Sequence, residues 1–322
     1  PGENGYQDTF YVFPYDWRMD NVETAQLLIR RIEALKRKLG KPDLKFNVIA
    51  HSMGGLITRY AAMYGDRGLS AGTPKPNWAG TKHFDKIFLL GTPNEGSILA
   101  LEAFINGYSY APVNLPFVRD INIYDVFTIP ALYQLLPHEG SLRAYNEDME
   151  PINIDVFDPA TWEEYEWAIW KRRGFEKQFD KSEQRVARLY FRHVLERAKQ
   201  FQIALNARPL DTAPVSFFLV GSDCKPTNNG VILRQNKKRD GWITQFKPSS
   251  YTKSDGTKVT AEELTSLLIS MGDGVVTRRS LARQSLAKPG EAATLLIHSE
   301  LSMCETHGKL VSNTDIQDKL FT

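Results

Sequence analysis

The first hundred residues alternate between short apolar runs and longer amphipathic segments. Apolar runs with the length of buried strands cover residues 9–13, 46–50 and 87–90. Residues 20–40 repeat apolar side chains with a helical period, and residues 54–64 form a second helical segment. Asp20 followed by Glu23 is typical of a capping box at a helix start. Strands and helices that alternate with short joints predict a mostly parallel sheet flanked by helices.

The middle of the chain lacks this alternation. From about residue 100 to residue 207 no strand pattern repeats, and a long helical pattern covers about 176–201. Its apolar positions predict one buried face formed by Val186, Leu189, Tyr190, Val194, Ala198 and Phe201. Lys and Arg are frequent near both ends of the segment. We expect a solvated polar face, and the alternative is a cap whose basic side meets a lipid surface.

Strand patterns resume at residues 215–220 and 294–297, and the polar segment 225–260 between them fits a hairpin. A helical run follows His307 and closes the chain. We therefore divide the chain into three parts. Residues 1–100 form the first part of a core, residues 101–207 a helical cap or lid, and residues 208–322 the second part of the core.

Composition narrows the classes of function. Of 322 residues, 42% are hydrophobic and 24% are charged, as in an average soluble protein. The net charge of +2 argues against nucleic acid as a partner, and no apolar stretch has the length of a membrane-spanning helix. Cys224 and Cys304 can form at most one disulfide, and the sequence does not show whether they meet. Because the sequence begins at Pro1, it leaves the compartment open.

One serine stands in the setting that nucleophilic catalysis requires. Ser52 lies in AHSMGG, directly after the strand pattern at 46–50 and before a helical one, which predicts a nucleophile elbow. Such a tight turn needs small residues two positions away, and Ala50 and Gly54 occupy them. The helix N-terminus favours negative charge beside Ser52, and the backbone N–H of Met53 is the expected oxyanion donor. The alternative is a serine that only caps the helix.

A serine nucleophile needs a histidine base, and six histidines are available. In this architecture the chain order is serine, acid, histidine, so His51, His83, His138 and His193 are poorly placed. His307 stands where a loop joins a helix and is the preferred base. His298 ends the strand pattern at 294–297 and is the second choice, or a strand-end residue with no role in catalysis.

The acid that orients the histidine has two candidates. Asp273 lies between Gly272 and Gly274, where a tight turn can present the carboxylate, and it is preferred. Asp223 follows the strand pattern at 215–220, the position of the acid in simpler hydrolases. It could equally be a turn residue that bonds its own backbone.

Several of these motifs together resemble a known family. They are PYDWR at 14–18, AHSMGG at 50–55, GTP at 91–93, GDGVV at 272–276 and HGKL at 307–310, with IPALYQLLP at 129–137 in the expected cap. The chain is similar to the lecithin:cholesterol acyltransferase family of α/β-hydrolases over about residues 5–315. The resemblance implies an α/β-hydrolase core with an inserted cap, and it assigns the triad to Ser52, Asp273 and His307. Asp16 and Trp17 match a motif and receive only a structural or site-wall role.

The chain departs from the family upstream of PYDWR. There the family carries a loop with the second oxyanion donor and a strand that lies between the PYDWR strand and the elbow strand. Only 13 residues precede Pro14. We therefore expect the N-terminal strands to be missing and the sequence to be a piece of a longer protein.

Together these features predict a serine hydrolase or acyltransferase that acts on acyl esters, with lipids or phospholipids as substrates. No metal or organic cofactor is expected, because no Cys and His cluster has the spacing of a zinc site. Motifs do not separate hydrolysis from acyl transfer, because water and alcohols both accept an acyl group. The alternatives are a non-catalytic homologue that binds membranes or proteins, and a soluble carboxylesterase.

Overall fold

The computed structural model describes residues 9–69, 75–108, 121–138, 140–170, 174–208, 211, 213–236, 241–282 and 297–321. The first elements along the chain are α1 (Asn21–Lys38), β1 (Phe46–His51), α2 (Met53–Tyr64), β2 (Phe84–Leu90) and α3 (Ile98–Asn106). The following segment contains α4 (Ile123–Phe127), α5 (Pro130–Gln134), β3 (Arg143–Tyr145), β4 (Pro151–Ile152), α6 (Pro159–Glu164), α7 (Phe175–Gln178) and α8 (Lys181–Asn206).

The remaining strands are β5 (Ser216–Gly221), β6 (Lys225–Asn228), β7 (Gly230–Gln235), β8 (Trp242–Gln245), β9 (Tyr251–Thr252), β10 (Lys258–Val259), β11 (Ile269–Gly272) and β12 (Ile297–Ser302). The remaining helices are α9 (Ala261–Leu268), α10 (Arg278–Ala282) and α11 (Thr314–Phe321). Single 3₁₀ turns cover Thr81–His83, Ala168–Trp170 and His307–Lys309.

The central sheet has four parallel strands in the order β1-β2-β5-β12. Helices α1 and α2 pack on it through apolar side chains such as Ile29, Leu56 and Ile57. Because the strands are parallel, their carboxyl ends meet at one edge of the sheet. The loops after β1, β5 and β12 therefore converge there.

One predicted strand is absent, and another extends beyond its predicted end. The run at 9–13 forms no strand; Tyr11 packs edge-on against Phe46 and Phe13 stacks on Tyr15 instead. A strand must pair its backbone with a neighbour, and among the described residues no strand flanks β1 on its free side. At the other end of the chain, β12 continues well past Ile297, and residues 294–296 lie outside the described part.

Residues 225–260 form more than the predicted hairpin. Strand β7 pairs with β8 antiparallel and with β3 parallel, giving a second sheet in the order β4-β3-β7-β8. The middle segment therefore also contains strands, contrary to the sequence pattern. Three residues or fewer per strand are too short for a periodicity to show. The boundaries of the cap at residues 100 and 207 stay a prediction.

Helix α8 contributes to two hydrophobic cores. Phe191 and Val194 pack among the aromatic side chains of the middle segment. Phe201 and Leu205 belong instead to the core that α2 forms with the central sheet. The predicted buried face is wrong at its first turns, because Val186 and Leu189 are 63% and 58% exposed. Both side chains lie on a side of α8 that faces away from the core, whereas Ala187, Tyr190 and Phe191 of the same turns pack into it. In the part of the chain that the structure describes, every helix is too short or too polar to span a membrane.

Asp20 joins the core to the middle segment. Its carboxylate accepts the N–H groups of Val22 and Glu23 at the start of α1 and pairs with Arg197 of α8 through two bonds of 2.7 and 2.9 Å. It also accepts the side-chain N–H of Gln134 in α5. The hydrogen bonds that Arg197 donates to Asp20 raise the pKa of Arg197. Glu23 does not close the expected capping box, and its carboxylate lies 3.9 Å from Arg197.

Asp20→Asn should lower the free energy of unfolding by about 2–3 kcal/mol, because it leaves the partly buried Arg197 without its charge partner. The measurement is urea unfolding followed by circular dichroism. Asp16→Asn is the matched control: Asp16 pairs with Arg18 on the surface, and that contact lowers the pKa of Asp16 to about 2. An exposed pair contributes little, so the control should unfold like the parent. Equal destabilisation by both changes would contradict this account.

Candidate active site

Ser52 occupies a strained turn between β1 and α2. Its φ of 54° and ψ of −127° are values that side-chain-bearing residues rarely adopt, and the cost of such a conformation is about 1–3 kcal/mol. The Ser52 N–H donates to the Leu90 carbonyl at 2.8 Å, which ties the turn to the end of β2. This geometry is that of a nucleophile elbow, which raises the serine hydroxyl above the carboxyl edge of the sheet.

Gly55 is the residue that packs most tightly below the elbow. A Cβ at Gly55 would overlap the side chain of Thr92, which is fully buried. A Cβ at Gly54 would meet only the Tyr15 hydroxyl, at an ordinary 3.6 Å. The sequence pattern predicts that the small residue is required at Gly54, whereas the structure requires it at the next position, Gly55.

Three side chains from distant parts of the sequence form one chain of hydrogen bonds. His307 Nε2 lies 2.9 Å from Ser52 Oγ, and His307 Nδ1 lies 2.8 Å from Asp273 Oδ2. A carboxylate only accepts, so Nδ1 carries the proton and Nε2 is free to accept one from the serine. The structure thus brings together Ser52, Asp273 and His307, the three residues that the sequence selected.

Asp273 is held by its own turn and is only 2% exposed. Its Oδ1 accepts the N–H groups of Val275 and Val276, at 2.9 and 2.7 Å, so that Oδ2 faces His307. The His307 N–H also donates to the Asp273 carbonyl at 2.9 Å. These bonds fix the carboxylate relative to the imidazole before any substrate arrives.

Gly91 lies directly beneath the pair of His307 and Asp273. It has a φ of 54°, and a Cβ there would come within 2.9 Å of Asp273 Oδ2 and 3.0 Å of His307 Nδ1. Only glycine leaves room for that hydrogen bond. The sequence motif at 91–93 drew attention to this residue without giving it a role.

His51 supports His307 from the other side. Its Nε2 lies 2.9 Å from the His307 carbonyl, and the two rings are tilted by 41° with their centroids 4.6 Å apart. The carbonyl is an acceptor, so Nε2 carries the proton. Burial, together with the charge of His307, lowers the pKa of His51 from its ordinary 6.5. The sequence reasoning set His51 aside as a base, and the structure gives it this supporting contact instead.

The alternative site residues lie elsewhere. Asp223 is exposed and sits 3.7 Å from Arg278 rather than beside a histidine. His298 lies within β12, with its ring against Phe218. His83 is buried beside Lys36, 3.4 Å away. None of these three contacts Ser52 in the described residues.

The expected oxyanion donor is the first residue of α2. The helix begins at Met53, so the Met53 N–H belongs to the first turn, whose N–H groups have no acceptor within the helix. The Met53 side chain packs with Ile129 and Ala131, and Tyr15 and Trp17 cover this small cluster. The side of Ser52 next to Met53 is therefore apolar. Burial raises the pKa of Tyr15, which keeps its hydroxyl protonated.

Comparison with known proteins decides the family. The sequence profile described as "Lecithin:cholesterol acyltransferase" matches residues 2–286, most of the chain. The chain belongs to the lecithin:cholesterol acyltransferase family. This confirms the resemblance seen in the sequence motifs. The match includes Ser52 and Asp273 and ends before His307.

A solved structure shares this architecture. A chain of "The crystal structure of Tle4-Tli4 complex" superposes with a TM-score of 0.55 and 14% identity, over 94% of this chain and 65% of that one. This family member thus spans about two thirds of the length of that protein. The Bacillus licheniformis lipase BlEst2 in mature form matches at 14% identity and a TM-score of 0.34, over 95% and 73% of the two chains. The fold is an α/β-hydrolase, as the sequence predicted. A comparison with curated proteins gives no match.

Gly55→Ala should lower the free energy of unfolding by about 1–3 kcal/mol, because its methyl group has no space beside the buried Thr92. Gly54→Ala is the matched control in the same helix turn. It should be neutral or stabilising by up to about 1 kcal/mol, since alanine is the better helix former. Urea unfolding of both variants makes the comparison. If Gly54→Ala were the more harmful change, the packing below the elbow would differ from this description.

Proposed function

We propose that this chain is a serine hydrolase or acyltransferase that acts on acyl esters through an acyl-serine intermediate. The observation that carries the proposal is the continuous hydrogen-bonded chain from Ser52 through His307 to Asp273, with Ser52 on a strained elbow. Membership of the lecithin:cholesterol acyltransferase family supports an acyl-ester substrate. Lipids or phospholipids are the substrate class that we propose within it.

In the first step, His307 Nε2 takes the proton of Ser52 as its Oγ attacks the ester carbonyl. The Nδ1–H bond to Asp273 stabilises the imidazolium that forms. Since Asp273 is already held by two backbone N–H groups, little reorganisation is needed when the charge appears. The Met53 N–H stabilises the negative oxygen of the tetrahedral intermediate.

In the second step, His307 gives its proton to the leaving alcohol and the acyl group stays on Ser52. Water or a second alcohol then attacks the acyl-serine, with His307 again removing the proton. Hydrolysis and acyl transfer share all these residues and differ only in the acceptor.

Ser52→Ala should reduce kcat for a chromogenic acyl ester by a factor on the order of 10⁶, the loss seen when a triad serine is removed. A fluorophosphonate probe should label the parent chain at Ser52 and leave this variant unlabelled. Ser250→Ala, a change at an exposed serine, is the control and should keep full activity. An active Ser52→Ala variant would refute the triad. A parent chain that resists the probe would favour a non-catalytic homologue.

We further propose that the start of α8 contacts a lipid surface. Val186 and Leu189 are exposed one turn apart, and Arg185 and Arg192 are exposed beside them. Apolar side chains flanked by cationic ones suit the boundary of a membrane that carries anionic lipid. This surface lies outside the two cores, so its exposed leucine and valine have no packing role within the described residues.

Changing Val186 and Leu189 together to serine should weaken binding to vesicles of phosphatidylglycerol and phosphatidylcholine by about tenfold, which corresponds to about 1.4 kcal/mol of lost apolar contact. Co-sedimentation with the vesicles measures the binding. Ile203→Ser, at an exposed apolar position near the far end of α8, is the matched control and should bind like the parent. Binding that is unchanged by the double substitution would remove this surface from the proposal.

A further inference from the structure

The two cysteines lie next to the candidate active site. Cys224 follows the end of β5 by three residues, and Cys304 follows the end of β12 by two. These strands are parallel neighbours, so their following loops run side by side. The cysteines form a disulfide with a Cα–Cα distance of 5.3 Å across a sequence separation of 80 residues. The sequence alone left this pairing open.

The disulfide joins the backbone segments that carry two of the three proposed catalytic side chains. Cys304 stands three residues before His307. On the other side, Lys225 follows Cys224 and pairs with Gly272 of β11, next to Asp273. The bond therefore connects the loop of the base to the strand that leads into the turn of the acid.

Few other contacts hold the segment between β12 and His307. The Met303 N–H donates to the Gly221 carbonyl at 2.9 Å, and the Glu305 N–H donates to Ser222 Oγ at 3.3 Å. Cys304 and Thr306 are exposed, and Glu305 bonds mainly within its own turn. Without the disulfide, this segment would depend on these two bonds and on the packing of Met303, and His307 would keep its place 2.9 Å from Ser52 through its own contacts with Asp273 and His51 alone.

We propose that the Cys224–Cys304 disulfide is a redox-sensitive positioning device for His307. This inference rests on the proposed function. The oxidised chain holds the His307 loop, and reduction releases it without unfolding the sheet, because β5 and β12 stay paired through their backbones. The cysteines touch neither the substrate nor the reacting atoms; they act through His307.

The exposure of Cys304 gives a reductant access to the bond. The thiolate of a small dithiol attacks one of the two sulfurs, and the electrons of the broken S–S bond go to the other cysteine as a thiolate. The second thiol of the reductant then displaces the first cysteine and closes a cyclic disulfide. Two cysteine thiols form as one dithiol is oxidised, so electrons and protons balance.

Dithiothreitol treatment of the full chain, checked by counting free thiols, should lower kcat for an acyl ester by about 10- to 100-fold, the effect of a misplacement of about 1 Å. KM should change less than about twofold, because His307 acts in the chemical step and neither cysteine belongs to the elbow that carries Ser52. The rate of fluorophosphonate labelling at Ser52 should fall in parallel. Re-oxidation after removal of the dithiol should restore both rates.

The Cys224→Ser, Cys304→Ser double variant is the matched control. It should have the low kcat of the reduced parent and show no response to dithiol or to oxidant. Circular dichroism of the reduced parent and of the double variant should remain that of a folded chain at the assay temperature. The proton NMR resonance of the His307–Asp273 hydrogen bond should broaden or disappear in both.

Two results would overturn the inference. One is an unchanged kcat in a fully reduced, folded chain. The other is unfolding on reduction, which would show that the disulfide stabilises the whole fold rather than the position of His307. An oxidised parent without ester hydrolysis or probe labelling would instead contradict the proposed function, and this inference with it. A parent chain whose kcat is the same with the disulfide oxidised and reduced contradicts this inference alone.

Discussion

The parallel pairing of β1, β2, β5 and β12 is the constraint on which the candidate site depends. It brings Ser52 and His307, 255 positions apart in sequence, to 2.9 Å from each other. Each strand delivers its following loop to the same edge, and each loop contributes a different part there. These parts are the elbow with Ser52, the close approach of Gly91 to the pair of Asp273 and His307, the disulfide, and His307 itself. The chemistry proposed for the chain is thus a property of the sheet edge rather than of any single segment.

That edge was largely predictable because its signals are local. An elbow has its own short pattern, and Asp273 between two glycines and His307 at a loop-to-helix joint stand out in the same way. The roles of Gly55, Gly91 and His51 were not predictable, since they arise from side chains more than 30 residues away in sequence. Thr92 below Gly55 and the triad pair above Gly91 are contacts that no local pattern encodes.

The errors in the fold have similar physical causes. An apolar run such as residues 9–13 has the composition of a strand, but pairing depends on a neighbour that the run itself does not specify. Strands of two or three residues, such as β3 and β4, leave no periodic trace. In α8 the helical period correctly predicted the helix, whereas the neighbouring segments decide which side of it is buried, and they pack on Ala187 and Phe191 and leave Val186 and Leu189 exposed.

Helix α8 has a consequence for how the molecule unfolds. Phe191 belongs to the core of the middle segment and Phe201 to the core on the central sheet, and ten residues of continuous helix join them. Arg197 lies between the two and is tied to Asp20 at the start of α1. Loss of packing in one core would remove support from a helix that the other core also uses. We therefore expect the middle segment and the central sheet to unfold in one cooperative transition, although the sequence pattern differs between them.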